Sequence, residues 1–535
     1  MQKEGMAMME TVDVATLRRW LADGGEIAFL DVREEGQHGS GHPLLAVNIP
    51  YSRLEVDIVR LVPRRSCRIV LVDDADGVAT KAARRLGGLG YRGIHALEGG
   101  AGGWSAAGYR LFPSTNVPSK AFAEIIEHKF ATPAITAAEL DRLRRSPESV
   151  TILDSRPLEE YARFHVPGAV PCPGAELVHR FADLVPSPET LVVVSCAGRT
   201  RGIIGAQSLI DAGLPNRVAS LSGGTQGWRL AGLELESGLG SAPGPVSEDA
   251  AASARARADM VAARFGVGLI DHRTVAAWLA EADRRTTHVL DVRPPEEFAA
   301  GHLPGSVSAP GGQLVQAIDR WVGTRGARLV LTDDTGIRAI MTAHWLVQMG
   351  WDVHVLDHAL DGAALETGRA EPASPKLPAP EEIEAEEAAR WLGEGAAAVS
   401  LDPSAAYRAS HPQAAIWANR ARLDRLPAAV LASQRILLFA DDEIAARLAA
   451  VDLAELTQAR LALVRGGSTG WRRTGLPAAA SPDQPPDDER IDFLFWNHDR
   501  HSGNAAAMRA YLRWETELPA QIAADGLSGF RIAAP

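Results

Sequence analysis

The sequence predicts an α/β chain of four repeated units, each a parallel sheet covered by helices on both faces, followed by a helical tail. Three observations predict it. An Asp-x-Arg strand end, or its remnant, recurs at Asp31-Val32-Arg33, Asp154-Ser155-Arg156, Asp291-Val292-Arg293 and Asp402-Pro403-Ser404. A Gly-Gly…Gly-Trp turn follows at 99–104, 223–228 and 466–471, while the third copy keeps only Leu356 to Gly362. Short apolar runs alternate with amphipathic stretches throughout, and 535 residues give room for four units of ordinary domain size.

Each unit opens on an amphipathic entry helix that holds Trp20, Leu143, Trp278 or Trp391, read as core anchors. The Asp strand comes next, then a turn with His42, His165, His302 or His411. A histidine repeated in every unit is read as the maker of a structural hydrogen bond. Segments rich in Pro, Gly and small residues at 109–119, 238–245, 371–380 and 481–486 read as linkers. The units are therefore expected at 1–112, 120–236, 262–368 and 379–478, with the tail at 487–535. In the tail, Asn504 is expected to cap a helix with Met508, Tyr511, Leu512 and Trp514 on one face, docked onto the body.

Chemistry concentrates in the second unit. The apolar run Leu191 to Val194 leads into Cys196-Ala197-Gly198-Arg199-Thr200-Arg201, and a helix-like stretch begins at Gly202. A strand that delivers a thiol to a cationic loop at a helix N-terminus is expected to lower the thiol pKa and supply a nucleophile. The offset from Asp154 to Cys196 lands on Asp73 in the first unit and Asp333 in the third, and the fourth reads Ala440-Asp441-Asp442. A carboxylate cannot replace a thiol as nucleophile, so those three units read as inactive.

The Asp-x-Arg strand end, Glu159-Glu160-Tyr161, His165-Val166-Pro167-Gly168-Ala169, the six-residue Cys loop and Gly223 to Trp228 occur in that order. Together they resemble the rhodanese-domain family of sulfurtransferases. The resemblance implies four rhodanese-like units, one of them catalytic, and a Cys196 persulfide formed in a ping-pong reaction. Thiosulfate or a similar donor would load it, and a thiol or cyanide would unload it. It also implies Arg156, Ala197, Gly198, Arg199, Thr200 and Arg201 as substrate-binding residues and Asp154 as a support. Arg199 stands where the commonest loop pattern has glycine, which leaves the donor open. A persulfide carrier fed by a desulfurase or mercaptopyruvate, and a non-enzymatic scaffold with Cys196 as redox sensor, remain alternative readings.

A formal net charge of −12 argues against nucleic acid and anionic membrane as partners. No apolar run is long enough to span a bilayer, and Met1 to Gly5 lacks the pattern of a signal peptide. Three cysteines, Cys67, Cys172 and Cys196, make no disulfide framework, so a reducing cytoplasm is expected, with Cys67 inert and Cys172 read as a core residue, a resolving or relay thiol being the alternative. Abundant Ala and Arg have a bacterial look. His498, Asp499 and His501 lack a further metal ligand, so no metal and no cofactor beyond the covalent persulfide is expected. The expected partners are a small anionic sulfur donor and a thiol acceptor, with a sulfur-accepting protein and a homo-oligomer also allowed. The segment 119–237 alone is expected to fold yet to transfer sulfur poorly.

Overall fold

The computed structural model describes residues 9–240, 244–369, 375–377, 379–501 and 503–535. Parts of the expected second and third linkers, and the start of the chain, lie outside the described residues. Four five-stranded parallel sheets follow one another with one topology. In the first, the spatial order is Glu10–Val12, Ile94–Leu97, Arg68–Val72, Ile27–Asp31 and Val47–Asn48. The second repeats it with Ala134–Ile135, Val218–Leu221, Leu191–Ser195, Val150–Asp154 and Val170–Pro171. The third and fourth follow suit, with Arg328–Thr332 and Arg435–Phe439 as their central strands. Ile27–Asp31 and Leu191–Ser195 are buried along their whole length, as strands covered on both faces must be.

Register corrects one expectation. Asp31, Asp154 and Asp291 pair with Val72, Ser195 and Thr332, whereas in the fourth unit it is Ser400 that pairs with Phe439. Ser400 therefore occupies the Asp position, and Asp402 occupies the place of Arg33, Arg156 and Arg293. The fourth unit has lost both members of the Asp–Arg pair, and the apparent remnant is a shift of two residues.

The turn histidines do make the expected bond. Nδ1 of His42, His165 and His302 lies 2.8 to 3.0 Å from the carbonyl oxygen four residues earlier. Each ring also stacks on residue i−4, at 3.6 Å on His38, 3.8 Å on Tyr161 and 3.8 Å on Phe298. His411 stacks on Tyr407 in the same way but turns Nδ1 to Pro412. The entry-helix anchors are more exposed than expected in two units. Trp20 and Trp278 are half-buried beneath Arg68 and Arg328, and Trp391 lies under Arg435, each guanidinium 4.8 to 4.9 Å from the ring. The second unit replaces both partners by leucine, Leu143 and Leu191, in one apolar cluster.

The second and third units share a core. The helix Glu248–Phe265 lies against both, and one cluster joins Leu177, Ile203 and Leu209 to Val261, Ile340 and Leu346. Trp345 Nε1 donates to Ser208 Oγ at 2.8 Å, and Arg338 meets Glu176 at 2.9 Å, both across the boundary. A segment cut at 119–237 would expose the face of that cluster which the third unit covers. Arg420 of the fourth unit ties to Glu55 of the first at 2.6 and 2.7 Å. The tail docks as expected. Asn504 accepts from Ala506 and Ala507 to cap Ala505–Asp525, whose Tyr511, Trp514, Leu518 and Ile522 join Leu17 and Trp104 of the first unit. No helix among the described residues is long and apolar enough to cross a membrane.

Candidate active site

Cys196 follows the central strand of the second unit, at the floor of a cleft of about 860 Å³. Walls come from four parts of the chain: the Cys loop, the first unit (Arg53, Arg60), the third (Gln313, Arg320) and the tail (Arg500, Glu515). Nine Lys and Arg side chains line it against five Asp and Glu. On a chain of net charge −12, this is a local reversal of sign that favours anions.

The loop is held from below by the glycine turn. Thr225 N–H donates to Cys196 O at 2.8 Å, and Gln226 N–H to Ala197 O at 3.2 Å. Gly224, at φ +53°, sits so close that a Cβ would lie 2.2 Å from Cys196 O and 2.7 Å from Gly198 O. Gly100 and Gly467 approach the oxygens of Asp73 and Ala440 in the same way, which marks those two as the counterparts of Cys196.

The thiol itself departs from expectation. The amides of Gly198 and Gly202 and the charge of Arg201 favour its thiolate, but burial outweighs them and pushes the Cys196 pKa up. A residue 2% exposed has too little water around it for the loop cations to win. Cys67 and Cys172 are buried and unpaired, and burial pushes the Cys67 thiol up to about 11.

The arginines divide by partner. Arg156 chelates Asp154 at 2.8 and 2.7 Å and donates to Phe164 O at 2.7 Å. Arg33 and Arg293 repeat this in the first and third units, so the pair braces the strand end. In the first unit, however, Arg33 Nη1 also holds Asp74 at 2.9 Å. Ala197 takes that position in the second unit, so no loop carboxylate there engages Arg156, which lines the cleft. Arg201 pairs with Glu160 and reaches Gln313 of the third unit at 3.0 Å. Arg199 differs from the expected anion holder: Glu124 at 2.7 and 2.9 Å and Glu127 take up its charge on the linker helix Val117–Phe130. Thr200 opens the helix Thr200–Asp211 and faces Glu515 Oε1 at 3.4 Å.

In the first and third units the aspartate fills its own cradle. Asp73 accepts from Ala75 N–H and Ala79 N–H at 2.9 and 3.0 Å. Asp333 accepts from Gly336 and Arg338 at 2.5 and 2.9 Å. The amides that would meet an incoming anion are already occupied. Sequence reasoning missed Lys120, Tyr511 and Glu515, which the fold brings to the Cys loop from remote segments, and Gln226 of the glycine turn beneath it. Their signal was only indirect, in the apolar face of the tail helix. His498 and Asp499 lie 3.4 Å apart, and no group of three or more metal-ligating side chains occurs among the described residues.

Comparison with known proteins agrees with this geometry. The model of the rhodanese-like domain matches residues 13–107, 136–231 and 274–364, the first three units. A thiosulfate sulfurtransferase from Pseudomonas aeruginosa, known as a crystal structure, is 43% identical and superposes with a TM-score of 0.92. The similarity covers 98% of this chain and 100% of that one. An HTH-type transcriptional regulator of Mycobacterium tuberculosis is 40% identical over 105 residues, 20% of this chain, which spans 45% of the regulator. With family matches over more than half its length and a relative similar along nearly all of it, the chain belongs to the rhodanese-like domain family, as a tandem sulfurtransferase member with one cysteine-bearing loop.

Proposed function

We propose that the chain moves sulfane sulfur from thiosulfate, or a similar anionic donor, to a thiol or cyanide through a Cys196 persulfide. The observation that carries this reading is the contrast between loops: the second unit sets a sulfur among amides of the kind that Asp73 and Asp333 fill with a carboxylate in the first and third units. In the first half-reaction Sγ attacks the donor's outer sulfur. The donor S–S bond breaks with its electron pair on the departing sulfite, and the thiol proton ends on the new terminal sulfur. Amides of the loop, Arg201 and Nη1 of Arg156 would hold the donor's oxygens. Asp154 fixes Arg156, and Arg199 fixes the loop to the linker helix. The Pseudomonas relative, named for thiosulfate, supports that donor.

The cleft is much larger than thiosulfate and open to a bulkier thiol acceptor, small or on a protein. Three unpaired cysteines fit a reducing cytoplasm as the working compartment. Mass spectrometry after incubation with thiosulfate tests the proposal: Cys196 should gain one sulfur, and a subsequent thiol should remove it. A chain that gains none, or gains it elsewhere, would overturn the reading.

A further inference from the structure

Glu515 projects from the tail helix onto the Cys loop. It is 1% exposed, and its Oε2 has no hydrogen-bond partner among the described residues. That oxygen lies 3.3 Å from the place a Cβ on Gly198 would occupy. Its other oxygen accepts from Tyr511 Oη at 2.6 Å and faces Thr200 Oγ1 at 3.4 Å. Gln226, whose Nε2 lies 3.9 Å from the same point, likewise keeps a buried Oε1 unpartnered. A buried carboxylate oxygen left unbonded costs free energy, so something in the cleft is needed to meet it.

The charged groups around Glu515 belong to four elements. The linker helix supplies Lys120 and Glu124, the Cys loop Arg199, the segment Phe495–His501 Arg500, and its own helix Tyr511. Lys120 is itself buried, held by Ser114 Oγ at 3.1 Å and by Thr115 O. Burial raises the Glu515 pKa and lowers that of Lys120 to about 7.

We propose that Glu515 is the general base of the second half-reaction, taking the proton of the acceptor thiol over the Cys loop. This inference rests on the sulfur-transfer reading above. A free thiol has a pKa of about 8.5, and only its thiolate attacks. Oε2 of Glu515 removes the proton from R–SH, and R–S⁻ forms a bond to the outer sulfur of Cys196–S–SH. The bond between the two enzyme sulfurs breaks, with its electron pair left on Cys196 Sγ. The proton on Glu515 then passes to Cys196, whose burial favours the neutral thiol. In sum, Cys196–S–SH and R–SH become Cys196–SH and R–S–SH, with no external oxidant or reductant.

Discharge of the preformed persulfide by two acceptors tests this. Dithiothreitol must lose a proton, whereas the sulfite dianion has none to lose. In Glu515→Gln, which keeps size and the bond from Tyr511, discharge by dithiothreitol should slow by about 100-fold relative to its discharge by sulfite. Glu515→Asp should recover part of that loss, and the acidic limb of the thiol pH profile should vanish in the Gln variant alone. Equal losses with both acceptors would overturn the proposal in favour of a structural role, as would dithiothreitol discharge at the natural rate. A natural chain that forms no persulfide would instead refute the transfer reading itself.

Discussion

Arg201 and Glu160 meet in a two-point ion pair, 2.8 Å at both contacts, and the third unit repeats it as Arg338 and Glu297 at 3.0 and 2.8 Å. The pair outlives the cysteine, so it holds the helix start in place as well as supplying charge. Arg201→Ala should cost the thiosulfate reaction about 1.5–3 kcal/mol, the worth of a charge-assisted hydrogen bond, read as kcat/KM. Arg201→Lys should recover part. Natural kinetics in the Ala variant would remove Arg201 from the donor site.

Arg199 should behave differently. Removing it leaves Glu124, 1% exposed, without its cation, and breaking a buried pair from one side costs about 3–5 kcal/mol. Arg199→Ala should therefore lower the unfolding midpoint strongly, while kcat/KM per folded molecule changes less than in Arg201→Ala. Thermal scans beside active-site titration check this.

Cys196 sets a pH dependence whose sign follows from burial. Its pKa in the folded chain lies above the unfolded value near 8.5, so the associated stability is full below about pH 8.5 and is lost as pH rises through the folded value. The same shift lowers the thiolate fraction at neutral pH. Iodoacetamide should alkylate Cys196 with a midpoint above about 8.5, and Arg201→Ala should move it higher. A midpoint at or below that of a free cysteine would contradict the burial argument. Cys196→Ser should abolish persulfide formation, and Cys67→Ser should leave it intact.

Asp73→Cys should not revive the first unit. The change strips two amides of their acceptor, at about 1–3 kcal/mol, and Asp74 still occupies Arg33. In a Cys196→Ser background the expected result is a lower unfolding midpoint and no turnover. Turnover in that double variant would show that the loop sequence alone decides activity.

Much of the fold was legible because the repeat carries its own register. The offset of Cys196 from Asp154 located Asp73 and Asp333, and strand pairing places both directly after their central strands. The fourth unit misled because Pro403 follows an Asp that mimics the motif two positions late. The site was only half legible. Partners of the loop stand 41, 72, 75, 112 and 315 residues away in sequence, which local pattern cannot join. Direction of the thiol shift was misread for the same reason: loop charges can be read from sequence, but the depth of burial depends on walls supplied by other units.

The common core of the second and third units has a meaning for cooperativity. Two sheets that share Ile203, Val261 and Ile340 in one apolar mass cannot melt independently, so a single calorimetric transition should cover both. The third unit is then half of a folding unit, and its retention needs no chemistry of its own. Lesions at Trp345, deep in the third unit, would silence Cys196 by lowering the population of folded chains while the loop stays unaltered.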